Sequence, residues 1–109
     1  MALEIRDAHP DDAQALVQLL GQLGYPTSVA LVTRRLVRLM ASESDRCVVA
    51  ILDGDVVGLA TIHASLTIVD DDPVAKISAI VVDERHHRRG IGQALVSEQK
   101  LSRGYVAAL

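Results

Sequence analysis

The segment from residue 80 to residue 93 reads IVVDERHHRRGIGQ, and it decides how the rest of the chain is interpreted. Its first residues are apolar and mostly β-branched, which predicts the end of a strand. Five consecutive Arg or His residues follow at 85–89, and then Gly90 and Gly92 open a segment with helical patterning. Glycines at a helix start let an anion approach free backbone N–H groups, and arginines beside them add charge-assisted bonds. The segment therefore predicts an anion-binding site.

Two common phosphate-binding patterns do not fit this segment. A dinucleotide fingerprint would need its third glycine where Leu95 stands, and the chain has no P-loop motif with its lysine. A Gly-x-Gly pair alone is weakly specific. On the residues alone, a basic turn capped by glycines and a small nucleic-acid patch remain alternative interpretations.

Composition narrows the class of protein. The chain has 109 residues, which predicts one domain, and it is 50% hydrophobic with a net charge of −3. It has no Trp or Phe, which argues against a nucleic-acid partner. A single cysteine, Cys47, excludes an internal disulfide and a Cys-based zinc site. No apolar stretch reaches the roughly 20 residues of a spanning helix, and no signal peptide is visible, so we expect a cytoplasmic protein without a membrane partner.

In the first half of the chain, periodicity predicts one strand and two amphipathic helices. The strand covers residues 3–6. The first helix begins at Pro10 and ends near Gly21, with an apolar face of Ala13, Leu16, Val17 and Leu20. The second is capped by Thr27 or Ser28, and its expected buried face consists of Val29, Val32, Leu36, Leu39 and Met40.

In the second half, three strands precede another helix. The apolar run 47–52 and the strand that begins at Val56 flank Asp53-Gly54, which predicts a tight hairpin. That second strand is expected to continue to the Asp70 loop. A third strand covers 74–82, a helix runs from Gly92 to about Ser102, and residues 105–109 begin a last strand. The predicted order is β-α-α-β-β-β-α-β.

Residues 87–92, HRRGIG, resemble the acetyl-CoA motif of the GNAT acetyltransferase superfamily, Q/R-x-x-G-x-G/A. The element order is similar along the whole chain. The resemblance implies an α/β (α+β) fold in which a mixed, mostly antiparallel central sheet is flanked by helices. His87 replaces the usual Gln or Arg, which would make binding sensitive to pH. The resemblance implies one GNAT-like domain over residues 1–109, truncated within the fifth strand and lacking the usual last helix and two strands.

The resemblance also implies a reaction, in which an acetyl group moves from acetyl-CoA to an amine of a small molecule or protein without a metal. In the family, the pantetheine arm lies along strand four and the pyrophosphate lies on backbone amides of the motif. Carried over to this chain, the acetyl-CoA-binding residues are Ile80, Val81, Val82, His87, Arg88, Arg89, Gly90, Ile91, Gly92 and Gln93.

No catalytic residue follows from the sequence. Tyr105 lies too early for the acid that the family places after strand five, and Asp83 and Glu84 are expected in a loop. His63 either points toward an amine or is a packed or surface residue, and Cys47 is expected in the core. The alternative function is a non-catalytic or truncated CoA-binding module that self-associates, as a dimer or other homo-oligomer, through its open sheet edge.

Overall fold

The computed structural model describes residues 3–69, 71–86 and 90–96, together with the backbone of residues 106 and 107. Two 3₁₀ turns, Pro10–Asp12 and Glu84–His86, accompany the regular elements. In chain order these elements are β1 (Leu3–Asp7), α1 (Ala13–Gln22), α2 (Val29–Ala41), β2 (Asp45–Leu52), β3 (Asp55–Ser65), β4 (Val74–Val82), α3 (residues 91–96) and β5 (Val106–Ala107).

The strands form one mixed sheet in the order β1-β2-β3-β4-β5. The first four strands pair antiparallel, and β5 pairs parallel to β4 at Ala75 and Lys76. The predicted element order and the α/β class are therefore confirmed. Residues 47–52 of β2 are all buried, because helices cover both faces of this inner strand. Double burial explains why this segment is a continuous apolar run.

Two apolar layers lie on opposite faces of the sheet. On one face, α1 and α2 pack against alternate residues of β2, including Val49 and Ile51. On the other face, Ile91 and Leu95 of α3 pack against a set that includes Val48 and Ala50. The three-layer arrangement places the start of α3 beside the end of β4.

The hairpin between β2 and β3 forms as predicted. Leu52 pairs with Asp55, so Asp53 and Gly54 alone make the turn. Both have positive φ, 51° and 88°, which is the backbone of a type I′ turn. The Asp-Gly pair suits this turn because glycine adopts positive φ without a steric penalty.

The first two helices, α1 and α2, begin in different ways. Ser28 caps α2 by accepting a hydrogen bond from the Leu31 N–H at 3.3 Å, which settles the choice between the two predicted caps. Before α1, Pro10–Asp12 forms a 3₁₀ turn rather than α-helix. Asp12 is drawn inward there because Arg6 donates two hydrogen bonds of 2.9 Å to its carboxylate.

Two details of the prediction are wrong, one in the buried face of α2 and one in the length of β3. Val29 and Met40 are exposed, because only the Val32, Leu36 and Leu39 side of α2 packs against the layer of α1 and β2. The strand after the hairpin ends at Ser65 rather than near Asp70, because β4 begins at Val74 and Val74 pairs with Ser65. The apolar side chains that follow have no strand partner and are exposed: Leu66, Ile68 and Val69.

Other predictions fall outside the described residues, namely the helix beyond residue 96, Asp70 and Tyr105. The helices that lie in the described ranges lack the combination of length and apolar character that crossing a bilayer requires.

Candidate functional site

The turn after β4 is held in place by the buried carboxylate of Asp83. This carboxylate accepts hydrogen bonds from the Arg85 backbone N–H at 3.0 Å and from the Arg85 guanidinium at 2.9 Å. The Asp83 N–H donates to the carbonyl oxygen of Val57 in β3 at 2.8 Å. The Glu84 N–H donates to the side-chain oxygen of Gln22 at the end of α1 at 3.0 Å. The turn is therefore fixed both to the sheet and to α1.

These contacts also determine the charge of Asp83. The hydrogen bonds from Arg85 lower the pKa of the Asp83 carboxyl to about 2, so the group is ionised at neutral pH. A carboxylate with so low a pKa is a poor proton acceptor. Asp83 and Glu84 lie in the turn, as predicted, and Asp83 stabilises that turn.

The edge of β4 that faces away from β3 is defined by its register. Gly58 lies opposite Val82 and Ala60 lies opposite Ile80. Because the Asp83 N–H bonds to Val57, the hydrogen-bonded pairs of this ladder alternate with these two pairs. The backbone N–H and C=O groups of Ile80 and Val82 consequently point away from β3. In the described part of the chain, β5 pairs with β4 only at Ala75 and Lys76.

The start of α3 lies next to that edge. Gly90 has φ of +75°, a conformation that favours glycine, and its carbonyl oxygen accepts the Ala94 N–H at 2.9 Å to close the first helical turn. A Cβ at Gly92 would meet only Val82 Cγ2, at 3.8 Å. The first N–H groups of a helix have no acceptor within it. The glycine pair thus leaves room for an anion at the helix start.

The structure describes seven of the ten predicted binding residues, and it brings them together where β4 ends and α3 begins. His87, Arg88 and Arg89 lie outside the described residues. The Val81 and Ile91 side chains are buried in opposite layers. Neither side chain is therefore available to a ligand, and Ile91 can contribute only its backbone.

Gly58 is a site residue that the sequence argument did not assign. A Cβ at Gly58 would lie 3.2 Å from the Val81 carbonyl oxygen, 3.3 Å from Ile91 Cγ2 and 3.3 Å from Leu95 Cδ1. Its missing side chain lets α3 lie close against the sheet. The available signal was a glycine inside a strand, which often marks a close approach.

Comparison with known proteins identifies the fold that carries this site. The sequence model described as the Acetyltransferase (GNAT) family matches residues 13–99, which is most of the chain. The chain belongs to the GNAT acetyltransferase family. No protein of curated function matches its sequence.

Solved GNAT structures share its architecture at low sequence identity. A GNAT family acetyltransferase from Staphylococcus aureus superposes with a TM-score of 0.86 at 19% identity, covering 100% of this chain and 87% of the other. Glucosamine-6-phosphate N-acetyltransferase from Arabidopsis thaliana gives 0.82 at 17% identity, covering 100% and 82%. Ribosomal-protein-alanine N-acetyltransferase from Brucella melitensis biovar Abortus gives 0.75 at 19% identity, covering 100% and 82%. At these identities the likeness concerns the fold.

The GNAT sheet also carries polar side chains on its α1–α2 face. His63 lies on β3, and its Nδ1 is 2.9 Å from a carboxylate oxygen of Asp45 on β2. Asp45 lines a cleft of about 580 Å³ between the end of α2 and the starts of β2 and β4. Within the described ranges, no three His, Cys, Asp or Glu side chains come together as a metal site requires.

Cys47 is a core residue, as predicted. Its side chain belongs to the apolar layer beneath α1 and α2, and burial raises the pKa of its thiol to about 12. The thiol therefore stays protonated at neutral pH and is a poor nucleophile.

Proposed function

We propose that this chain is an N-acetyltransferase that moves an acetyl group from acetyl-CoA to an amine of a small molecule or protein. The observation that carries the proposal is the Gly90–Gly92 helix start beside the outward-facing backbone of Ile80 and Val82. Membership of the GNAT family supports acetyl transfer as the general reaction. We treat residues 1–109 as one GNAT domain, and its proposed setting is the cytosol.

The pyrophosphate of acetyl-CoA would bind at the start of α3. Backbone N–H groups of residues 90–92 would donate to its oxygens, with Gln93 next in the same helical turn, and the helix dipole would add partial positive charge. Arg88 and Arg89 precede the glycines directly in sequence and would add charge-assisted bonds, with His87 beside them. The space beside Gly92 fits this role, because a phosphate must come within hydrogen-bond distance of the amides.

The pantetheine arm would lie along β4 as an added strand. Its amide groups would exchange hydrogen bonds with the N–H and C=O groups of Ile80, which face away from β3, and Val82 is the next residue on this edge. Val81 would contribute through its position between these two residues, because its own backbone groups point toward β3. A backbone N–H on this edge would stabilise the oxyanion that forms on the thioester carbonyl.

The acceptor is an amine whose identity the fold does not determine. The named acceptors of GNAT neighbours differ: a sugar phosphate in one, a ribosomal protein alanine in another, and an aminoglycoside in a third, from an uncultured soil metagenome. A first panel would therefore contain glucosamine 6-phosphate, a peptide with an N-terminal alanine, and an aminoglycoside.

The test is calorimetric binding of CoA by two variants of one residue. Gly92→Val places a branched side chain where the phosphate approaches, and we expect CoA to bind more weakly by at least about 1–2 kcal/mol, the scale of one or two lost bonds to a charged group. Gly92→Ala is the matched control. It adds one methyl group 3.8 Å from Val82, and the family motif admits alanine at this position. Equal CoA affinity in Gly92→Val and the wild type would contradict the proposed site.

One observation favours a second candidate, a CoA-binding module that self-associates without catalysis. In the described residues, β5 covers β4 only at Ala75 and Lys76, and the backbone of Ile80 faces outward. An open edge of this kind can pair with a second chain. Light scattering across concentrations, together with the acetyl-transfer assay, distinguishes the two. Association without transfer to any amine would favour the binding module.

A further inference from the structure

The inner strands carry a row of polar side chains that the proposed acetyl-CoA site does not use. Asp45 on β2, His63 on β3 and Lys76 on β4 lie opposite one another in register. Toward the end of β4, the hydroxyl oxygens of Thr61 and Ser78 are 2.7 Å apart on the same face. Side chains that share a register position and a face form one continuous surface. This surface lies on the α1–α2 side of the sheet, beside the edge of β4.

Asp45 holds the imidazole of His63 in one orientation. One Asp45 oxygen is 2.9 Å from His63 Nδ1, and the Ser42 hydroxyl donates to the other at 2.7 Å. The hydrogen bonds from Ser42 and His63 lower the pKa of Asp45. An ionised carboxylate only accepts hydrogen bonds, so Nδ1 carries a proton, and in the neutral ring the lone pair is on Nε2. The His63 side chain is 48% exposed, and a small molecule can therefore reach the ring.

The hydroxyl pair of Thr61 and Ser78 connects His63 to the proposed position of the thioester. Thr61 lies two residues before His63 on β3, and Ser78 lies two residues before Ile80 on β4. Successive residues on one face of a strand are about 7 Å apart. An amine bound between the hydroxyl pair and the imidazole would lie within that span, in reach of His63 Nε2 directly or through one water. Ser78 lies in the bulge of β4 and the Ile80 side chain packs on the α3 face, so the β4 edge at Ile80 is reached through its backbone.

We infer that His63 is the general base for the acceptor amine and that Asp45 is a positioning residue that fixes its tautomer. The inference rests on the proposed function. Nε2 of His63 takes one proton from the acceptor ammonium, and the freed lone pair forms the N–C bond to the thioester carbonyl carbon. The C–S bond breaks and CoA leaves as a thiolate, which takes the second proton from the new amide nitrogen. The imidazolium then releases its proton to solvent.

Charged groups from several elements face His63. Asp45 from β2 is hydrogen-bonded to it, and Lys76 lies directly opposite on β4. From α2, Arg35 and Arg38 line a cleft that also contains Asp45. In the loop before β2, Glu43 lines the larger cleft with Asp45. The pH dependence of transfer therefore reports on this whole set, and the test must separate His63 from its neighbours.

The first test is a pH–rate profile of the full chain with the best acceptor of the panel. We expect His63→Gln to lower kcat/KM by about 10²–10⁴-fold, the usual contribution of a general base. The variant should also lose the fall in kcat/KM on the acidic side of the pH–rate profile. CoA affinity, measured separately, should not change. We expect Asp45→Asn to lower kcat/KM with CoA affinity intact. His9→Gln is the matched control and should leave kcat/KM and the pH profile unchanged, because His9 lies before the Pro10–Asp12 turn.

The second test needs no turnover. A long-range proton–nitrogen NMR spectrum identifies the protonated ring nitrogen of His63. We expect Nδ1–H in the wild type and loss of that preference in Asp45→Asn. An Nε2–H tautomer in the wild type, or an unchanged rate and pH profile in His63→Gln, would overturn the inference. Failure of CoA to bind would instead overturn the proposed function, and the NMR result would still decide the role of Asp45.

Discussion

Gly58→Ala should destabilise the fold because there is no room for a methyl group under α3. The new Cβ would lie 3.2 Å from the Val81 carbonyl oxygen and 3.3 Å from side-chain carbons of Ile91 and Leu95. The carbonyl belongs to the β3–β4 ladder, and both side chains are fully buried. Relief of these contacts requires α3 to move away from the sheet. Overpacking of this kind costs about 1–3 kcal/mol.

Urea unfolding measures this cost, and the same substitution elsewhere supplies the control. Gly21 lies in α1, and a Cβ there would have no atom within 4 Å, so Gly21→Ala should stabilise the chain by about 0.5–1 kcal/mol. The urea concentrations at half-unfolding of the two variants should shift in opposite directions. The slope of the unfolding free energy against urea concentration should stay constant. Because α3 also carries Gly92, CoA affinity should fall in Gly58→Ala alone. If Gly58→Ala were as stable as the wild type and bound CoA equally well, the close packing of α3 would not position the site.

Three further predictions concern local structure and are checked by unfolding experiments. Gly90→Ala should cost about 1–2 kcal/mol, because φ is +75° and the penalty comes from the backbone alone; an unchanged midpoint would contradict it. Ser28→Ala removes the acceptor of the Leu31 N–H and should cost about 1 kcal/mol, whereas Ser28→Asp should restore the cap. Because the folded pKa of Asp83 is depressed to about 2, its contribution is present above about pH 4 and is lost as pH falls to 2. Asp83→Asn should therefore be less stable at neutral pH and show a flatter acid dependence over that window.

Local patterns predicted the elements well where one physical factor dominated. Asp53-Gly54 specified its turn because the type I′ backbone needs positive φ twice, and the apolar run 47–52 predicted a strand, which the structure shows to be buried on both faces. The predicted end of β3 was wrong because Leu66 and Ile68 continue the β-prone, apolar pattern past the last residue that pairs with β4. Strand length there depends on a partner, which the local sequence does not contain.

The candidate site was predictable only where its residues are contiguous in the sequence. The glycine pair and its basic flank are contiguous, so their role could be proposed from the sequence. The contact of Gly58 with α3 and the pairing of Asp45 with His63 join residues on different strands or layers. Such contacts depend on register, and a shift of one residue would move His63 to the other face of the sheet.

The central claim is that acetyl-CoA is the acetyl donor for an amine acceptor. The most direct measurement incubates the full chain with acetyl-CoA and each amine of the panel, and follows free thiol and acetylated product together. We predict that at least one amine gives equal amounts of thiol and N-acetyl product, and that Gly92→Val reduces both in proportion. Thiol release that no amine accelerates, with no acetylated product from any amine, would contradict the account.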